Sequence, residues 1–353
     1  MKNKNERVRG LKTAFPAVVG NRALCERLAT DILENKLSHA YIIEGAVGSG
    51  RHTLAYQVAA ALSCEKKSDS DLPLPCGLCP SCKKILSGNS PDLIFVQKDP
   101  TKTQLGVDII RAVREDVHLL PNDTEHKVYV IEDAQIMNDQ AQNAFLLTLE
   151  SPPPYVVFLL LCEDSGTLLE TVRSRAPRLK MQRLTVGEVE RYICSTDERA
   201  RELRQSSPQE FADVLTVSAG SIGRATELLD EKKREPITAR RAVAREFISA
   251  IETRSVTAGA KIISKLPQKR DELLFCLEQI RSALRDLIVA QKSDEGELLF
   301  YSSREEAEDV SFSLSTADLL SVFDAVEEAI DLTCANGNVR LITFSLATKC
   351  KLI

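Results

Sequence analysis

Short apolar runs alternate with stretches of helical period through the first half of the chain. Residues 40–44 (AYIIE), 93–96, 128–131 and 156–161 have the length and composition of buried strands, and 178–181 is a candidate fifth. Between them, 53–62, 107–120 and 139–150 read as helices. In the second of these, Ile109, Ile110, Val113, Val117 and Leu120 fall on one face. Strands alternating with helices predict an α/β fold around a parallel sheet. After about residue 180 the strand signals fade. Segments 186–194, 208–218 and 222–229 read as short helices of a small lid-like domain, and the charged stretch 230–236 (DEKKREP) as a linker. Segments 237–250, 258–264, 269–291 and 316–332 then predict an all-α C-terminal third.

Composition narrows the classes. The 353 residues carry 46 Lys and Arg against 51 Asp and Glu, a net charge of −5. That argues against a chain that grips nucleic acid alone through a dominant basic surface, while leaving room for a local patch. Tryptophan is absent and aromatics are only 5%, which disfavours a stacking platform for single strands. The longest clean apolar run, 155–162, is far below the ~20 residues of a membrane helix. Residues 1–12 are basic with no apolar stretch behind them, so no secretory signal is expected. The expectation is a soluble cytoplasmic protein without a membrane partner, in which ten cysteines do not form a disulfide framework.

Four of those cysteines cluster. Cys64, Cys76, Cys79 and Cys82 follow C-x11-C-x2-C-x2-C, the last three in PCGLCPSCKK. Four thiolates at such spacings can close a tetrahedral shell around Zn2+, and without an open position the site is structural, not catalytic. It would hold an insertion too small for a core of its own. Incidental buried thiols are the bland alternative. Cys25, Cys162, Cys194, Cys276, Cys334 and Cys350 are scattered and read as packing residues.

The turn after the first strand, GAVGSGRHT at 45–53, has the glycine framework of a P-loop. Gly45, Gly48 and Gly50 let backbone N–H groups curl around a phosphate ahead of a helix N-terminus. Two positions depart from the pattern. Arg51 stands where lysine reaches the outer phosphates, and His52 stands where a hydroxyl ligates Mg2+. Imidazole is a poor replacement for a hard oxygen ligand, and Thr53 comes one residue too late. ATP with Mg2+ is therefore expected to bind weakly at most, without hydrolysis. The third strand ends in Glu132-Asp133, a Walker B position with its usual order reversed, or an ordinary acidic turn. Arg173 and Arg175 follow the fourth strand. An arginine supplied in trans can stabilise a transferring phosphoryl group, although a solvated or salt-bridged pair is the plainer reading.

Taken in order, these pieces resemble the clamp-loader subunits of bacterial DNA polymerase III, members of the AAA+ class, and among them the delta-prime type. The residues that carry the resemblance are Val18-Val19-Gly20-Asn21, Leu37-Ser38-His39-Ala40-Tyr41, the four-cysteine insertion, 127–134, 141–153, Ser174-Arg175 and 220–225. They span about residues 15 to 230. The resemblance implies a RecA-like AAA+ P-loop domain over 1–179 with a zinc module at about 64–88. A helical lid over 180–235 and a helical collar for oligomerisation over 236–353 would follow. It implies a subunit that helps load a sliding clamp on primed DNA beside a gamma/tau-type ATPase subunit and a delta subunit, within the replisome at the nucleoid. Arg175 would be the arginine finger given in trans to the ATPase neighbour, with Ala176 where the family has cysteine. The sensor position at the end of the fourth strand corresponds to Cys162, and the lid arginine, Arg224, lies one place from its position in ATPase members. The chain would thus have no intrinsic ATPase activity while forming part of the polymerase holoenzyme. Two other readings stand beside it. One is an ATP-hydrolysing gamma/tau-type subunit, against which speaks the expected lack of a long extension after the collar. The other is a zinc-dependent DNA-binding module, since Lys83 and Lys84 follow the cluster.

Overall fold

Five strands form one sheet in the first half of the chain: β1 (Ala40–Glu44), β2 (Leu93–Val96), β3 (Lys127–Ile131), β4 (Val156–Cys162) and β5 (Arg178–Lys180). The computed structural model describes residues 13–69, 71–253, 255–293, 296 and 298–352, so the basic start at 1–12 lies outside the described residues. The strands run in the order β2-β3-β4-β1-β5, and every neighbouring pair is parallel, which is a RecA-like topology. All residues of β1, β3 and β4 are buried. Helices cover both faces, so these strands read as continuous apolar runs rather than alternating ones. On one face Ile43, Val128, Val130, Leu159 and Leu161 pack with α1 (Arg22–Leu33) and α2 (Arg51–Leu62). On the other, Ile42, Tyr129, Ile131, Phe158 and Leu160 pack with α4 (Val107–Asp116) and α5 (Asp139–Glu150). The short α3 (Pro80–Leu86) packs on α2, and α6 (Glu170–Arg173) follows β4.

One helix is shorter than its period predicts. Helix α4 ends at Asp116, not at 120, and Leu119 and Leu120 are exposed. Pro121 disfavours helical backbone at the residue before it, so the apolar positions at 119 and 120 drop out of the helix face.

The chain divides into two compact units, Met1–Glu188 and Val189–Ile353, with the boundary inside α7 (Val186–Thr196). The second unit is helical throughout its described elements: α8 (Glu198–Ser206), α9 (Pro208–Ser218), α10 (Ile222–Leu228), α11 (Glu231–Thr253), α12 (Val256–Lys265), α13 (Arg270–Lys292), α14 (Arg304–Phe312), α15 (Thr316–Cys334) and α16 (Val339–Lys349). Helix α13 touches α11, α14 and α15 around a core that includes Phe247, Leu277, Ile280, Phe300 and Val326.

The expected linker at 230–236 is instead the start of α11. Asp230 O accepts the N–H groups of Lys233 (3.1 Å) and Arg234 (3.0 Å), which begins the helix. Arg234 reaches back to Glu210 at 2.9 Å and to the Leu229 carbonyl at 3.1 Å, tying the turn to α9 and to the end of α10. Pro236 stands in the second turn, where its missing N–H removes a single intrahelical bond. Further along α11, the fully buried Arg241 pairs with the buried Asp213 of α9 at 2.9 Å and stacks over the Phe300 ring at 4.2 Å. Among the described residues no helix is long and apolar enough to cross a membrane.

Candidate functional site

Three groups of residues singled out by the sequence lie in the first unit. The cysteine cluster is one. Cys64 follows the end of α2, Cys76 and Cys79 lie in the turn before α3, and Cys82 sits in the first turn of α3. All four are buried, and their sulfurs lie within 4.8 Å of one another. A Zn–S distance of about 2.3 Å places tetrahedral sulfurs about 3.8 Å apart; Cys76 and Cys82 Sγ are 3.9 Å apart. Backbone N–H groups point at the sulfurs, Leu78 and Cys79 donating to Cys76 Sγ (3.5 and 3.4 Å) and Cys82 donating to Cys79 Sγ (3.4 Å). A hydrogen bond from Cys82 holds the Cys64 thiol below its ordinary range, and the same contact with burial pushes Cys82 up. The donor set fits a soft or borderline metal ion in a closed shell with no position left for substrate.

The glycine loop is the second group. The chain leaves β1 at Glu44 and turns through 45–50 into α2, capped by Gly50 at φ 91° without a side-chain hydrogen bond. Gly45 has no room for a side chain: a Cβ there would lie 2.5 Å from Ser49 Oγ and 3.2 Å from Met181 Cβ. Glu44 is buried below the turn and accepts from the N–H and hydroxyl of Ser165, with Arg178 at 3.5 Å. Burial pushes its carboxyl up, but Ser165 and Arg178 outweigh that and hold it below the usual range. Arg51 is only 6% exposed and its Nη1 has no partner. His52 turns outward at the start of α2, where its Nε2 lies 3.3 Å from Glu132 Oε1. Thr53 is half-buried in the helix. Asp133 has a left-handed backbone (φ 46°) and an exposed side chain whose Oδ1 accepts from Gln135 at 3.3 Å. The structure therefore brings His52 and Glu132 together and turns Asp133 away. Cys162, at the end of β4, pairs in register with Glu44; burial and that carboxylate push its thiol up to about 12.

The third group is the arginine turn. Arg175 Nη2 lies 2.7 Å from Glu150 Oε1 and its Nη1 donates to Thr171 O at 2.9 Å. Arg173 and Ser174 are exposed, while Ala176 is buried in the core beneath the sheet. Arg224 belongs to the second unit, exposed in the first turn of α10. Sequence reading named His52, Glu132 and Arg175 singly and missed both pairings. Glu150 lies inside the 141–153 run already singled out, but nothing local marks it as the partner of an arginine 25 residues on.

Comparison with known proteins gives a consistent set of relatives. Residues 20–185 match the family model described as DNA polymerase III, delta subunit. DNA polymerase III subunit tau of Bacillus subtilis is 26% identical over 292 residues, covering 78% of this chain and 50% of the relative. DNA polymerase III subunit delta' of Yersinia pestis is 33% identical over 137 residues, 39% of each chain. The chain thus spans half or less of the length of these two curated relatives. Among solved structures, a DNA polymerase III gamma subunit-related protein from Thermotoga maritima aligns over 92% of this chain and 98% of its own, at 16% identity and a TM-score of 0.42.

Proposed function

Because the chain is homologous to the tau, gamma and delta-prime clamp-loader subunits of DNA polymerase III, we propose that it is a clamp-loader subunit of the delta-prime type, one that does not hydrolyse ATP. In this role it helps to load the sliding clamp onto primed DNA within an assembly holding a gamma/tau-type ATPase subunit and a delta subunit. The observation that carries the reading is the His52–Glu132 contact at 3.3 Å. A hydrolytic P-loop needs a hydroxyl and a carboxylate free to hold Mg2+. Here imidazole replaces the hydroxyl and engages the carboxylate. Arg175 is the residue offered in trans to the neighbour's phosphates. Its tie to Glu150 is a half-exposed ion pair of the kind worth only about 0–1 kcal/mol, so a triphosphate can compete for it. The metal of the cysteine cluster is a structural zinc ion.

The test is an ATPase assay on the pure chain and on its complex with a gamma/tau-type subunit and clamp. The chain alone is expected to be inactive. Arg175→Ala is expected to lower the activity of the complex by about 10³-fold or more, the low end of arginine-finger effects. Robust hydrolysis by the pure chain would instead favour the second reading, an ATPase subunit of the gamma/tau type, to which the similarity with tau also lends support.

A further inference from the structure

The loop at 45–53 disagrees with the metal its motif implies, and the disagreement has a definite chemistry. Mg2+ takes hard oxygen ligands in near-octahedral geometry. The residue at the hydroxyl position is His52, and the Glu132 carboxylate lies 3.3 Å from its Nε2. The phosphate side of the same turn keeps its backbone form, with Arg51 in place of lysine. Two of the loop glycines keep a positive φ, 78° at Gly48 and 91° at Gly50, and no side chain caps the start of α2 with a hydrogen bond. Beside them Arg51 is 94% buried, with Nη1 lacking any hydrogen-bond partner. A buried cationic donor without a partner is costly, and an anion seated at the helix start would offset that cost.

We propose that this turn is a metal-independent anion site: it takes a phosphate group of a nucleotide or of pyrophosphate on Arg51 and the start of α2, and His52, held by Glu132, keeps Mg2+ out. His52 is thus a specificity-determining residue that converts a metal–nucleotide loop into a bare-phosphate loop. The inference rests on the non-hydrolysing reading and deepens it.

The experiment is calorimetric titration of the full chain with ADP and, separately, pyrophosphate, each without added Mg2+ and in excess Mg2+. At least one probe is expected to bind without Mg2+, with no gain when Mg2+ is added. Binding of pyrophosphate alone assigns the site to an inorganic anion, and binding of ADP to a nucleotide. Arg51→Ala is expected to weaken binding about tenfold or more. That side chain is buried and its loss could unfold the turn, so the deciding variant is His52→Thr at a position 53% exposed. It is expected to make Mg2+ tighten ADP binding about tenfold. The proposal is overturned if Mg2+ tightens wild-type binding, if neither probe binds without Mg2+, or if His52→Thr leaves binding indifferent to Mg2+. Tight Mg·ADP binding without hydrolysis would sink this inference alone. An Arg175→Ala complex of undiminished activity would sink only the trans-arginine role.

Discussion

Asp92 shows how much one side chain can hold without belonging to any motif. It is 2% exposed, and its carboxylate accepts from the N–H groups of Asn122 (2.7 Å), Asp123 (2.8 Å) and Thr124 (2.8 Å) and from the Thr124 hydroxyl (3.0 Å). Burial pushes the carboxyl up, but these donors outweigh it and its pKa is lowered. A lowered folded-state value means stability that is complete above the ordinary aspartate pKa of about 3.9 and is lost as pH falls from there through the folded value. Asp92→Asn removes the charge behind those bonds and is expected to cost about 2 kcal/mol at pH 7. The gap between the urea midpoints of wild type and variant should begin to narrow as pH falls below about 3.9 and should close only below the folded-state value. A gap that stays constant with pH would show that the charge is not what matters. Nothing in the sequence marks Asp92, because its donors lie 30 residues away on another loop. The glycine loop and the cysteines could be read because each motif is contiguous or nearly so. The Arg175–Glu150 and His52–Glu132 pairs could not, because each joins residues that only the folded sheet brings together.

At the scale of elements, the strands were the most legible part. A strand covered on both faces is apolar through its interior, and β1, β3 and β4 are buried along their whole length, with a charged residue only at the end of β1 (Glu44) and the start of β3 (Lys127). The start of α11 was the least legible. A run of charges ending in proline reads as a break, yet Arg234 anchors it to Glu210 and Leu229. The segment joining α2 to α3 depends on a different device. Cys64 and Cys82, at the facing ends of these helices, belong to one group of sulfurs within 4.8 Å, and Ile85 is the one buried apolar side chain of α3 other than Cys82. So short a helix has little burial of its own, and a metal ion held by these sulfurs would supply what the core does not. We expect about one equivalent of zinc per chain. Cys82→Ser, or a strong chelator, should lower the Tm by about 5–10 °C, roughly 2–3 kcal/mol for a unit of this size. Hydrogen exchange should rise first in α3. Zinc release with unchanged exchange there would refute the structural role.

For the molecule as a whole, charge separates a clamp-loader subunit from a zinc-dependent DNA-binding module. The net charge is −5, and the lysines beside the cysteine cluster are partly committed. Lys84 pairs with Asp123 and Lys67 with Glu125, each at 2.9 Å, so an acidic loop answers the basic one. Each phosphate contact a protein makes contributes about −0.9 to the slope of log K against log salt on duplex DNA. A module that gripped DNA by itself would need several such contacts and would show a slope steeper than about −4. The committed lysines leave few to make them. The isolated chain should therefore bind primed duplex no more tightly than about 10⁻⁶ M near physiological salt, with a slope shallower than about −2. Removing zinc should leave that slope unchanged, because a structural metal would order α3 without adding cationic groups directed at phosphate. A steep slope that collapses on chelation would overturn this and make the cluster a DNA-binding element. A shallow slope that steepens only when the ATPase subunit and clamp are added would place the DNA grip in the assembly, where a chain of this charge can take part without holding the duplex itself.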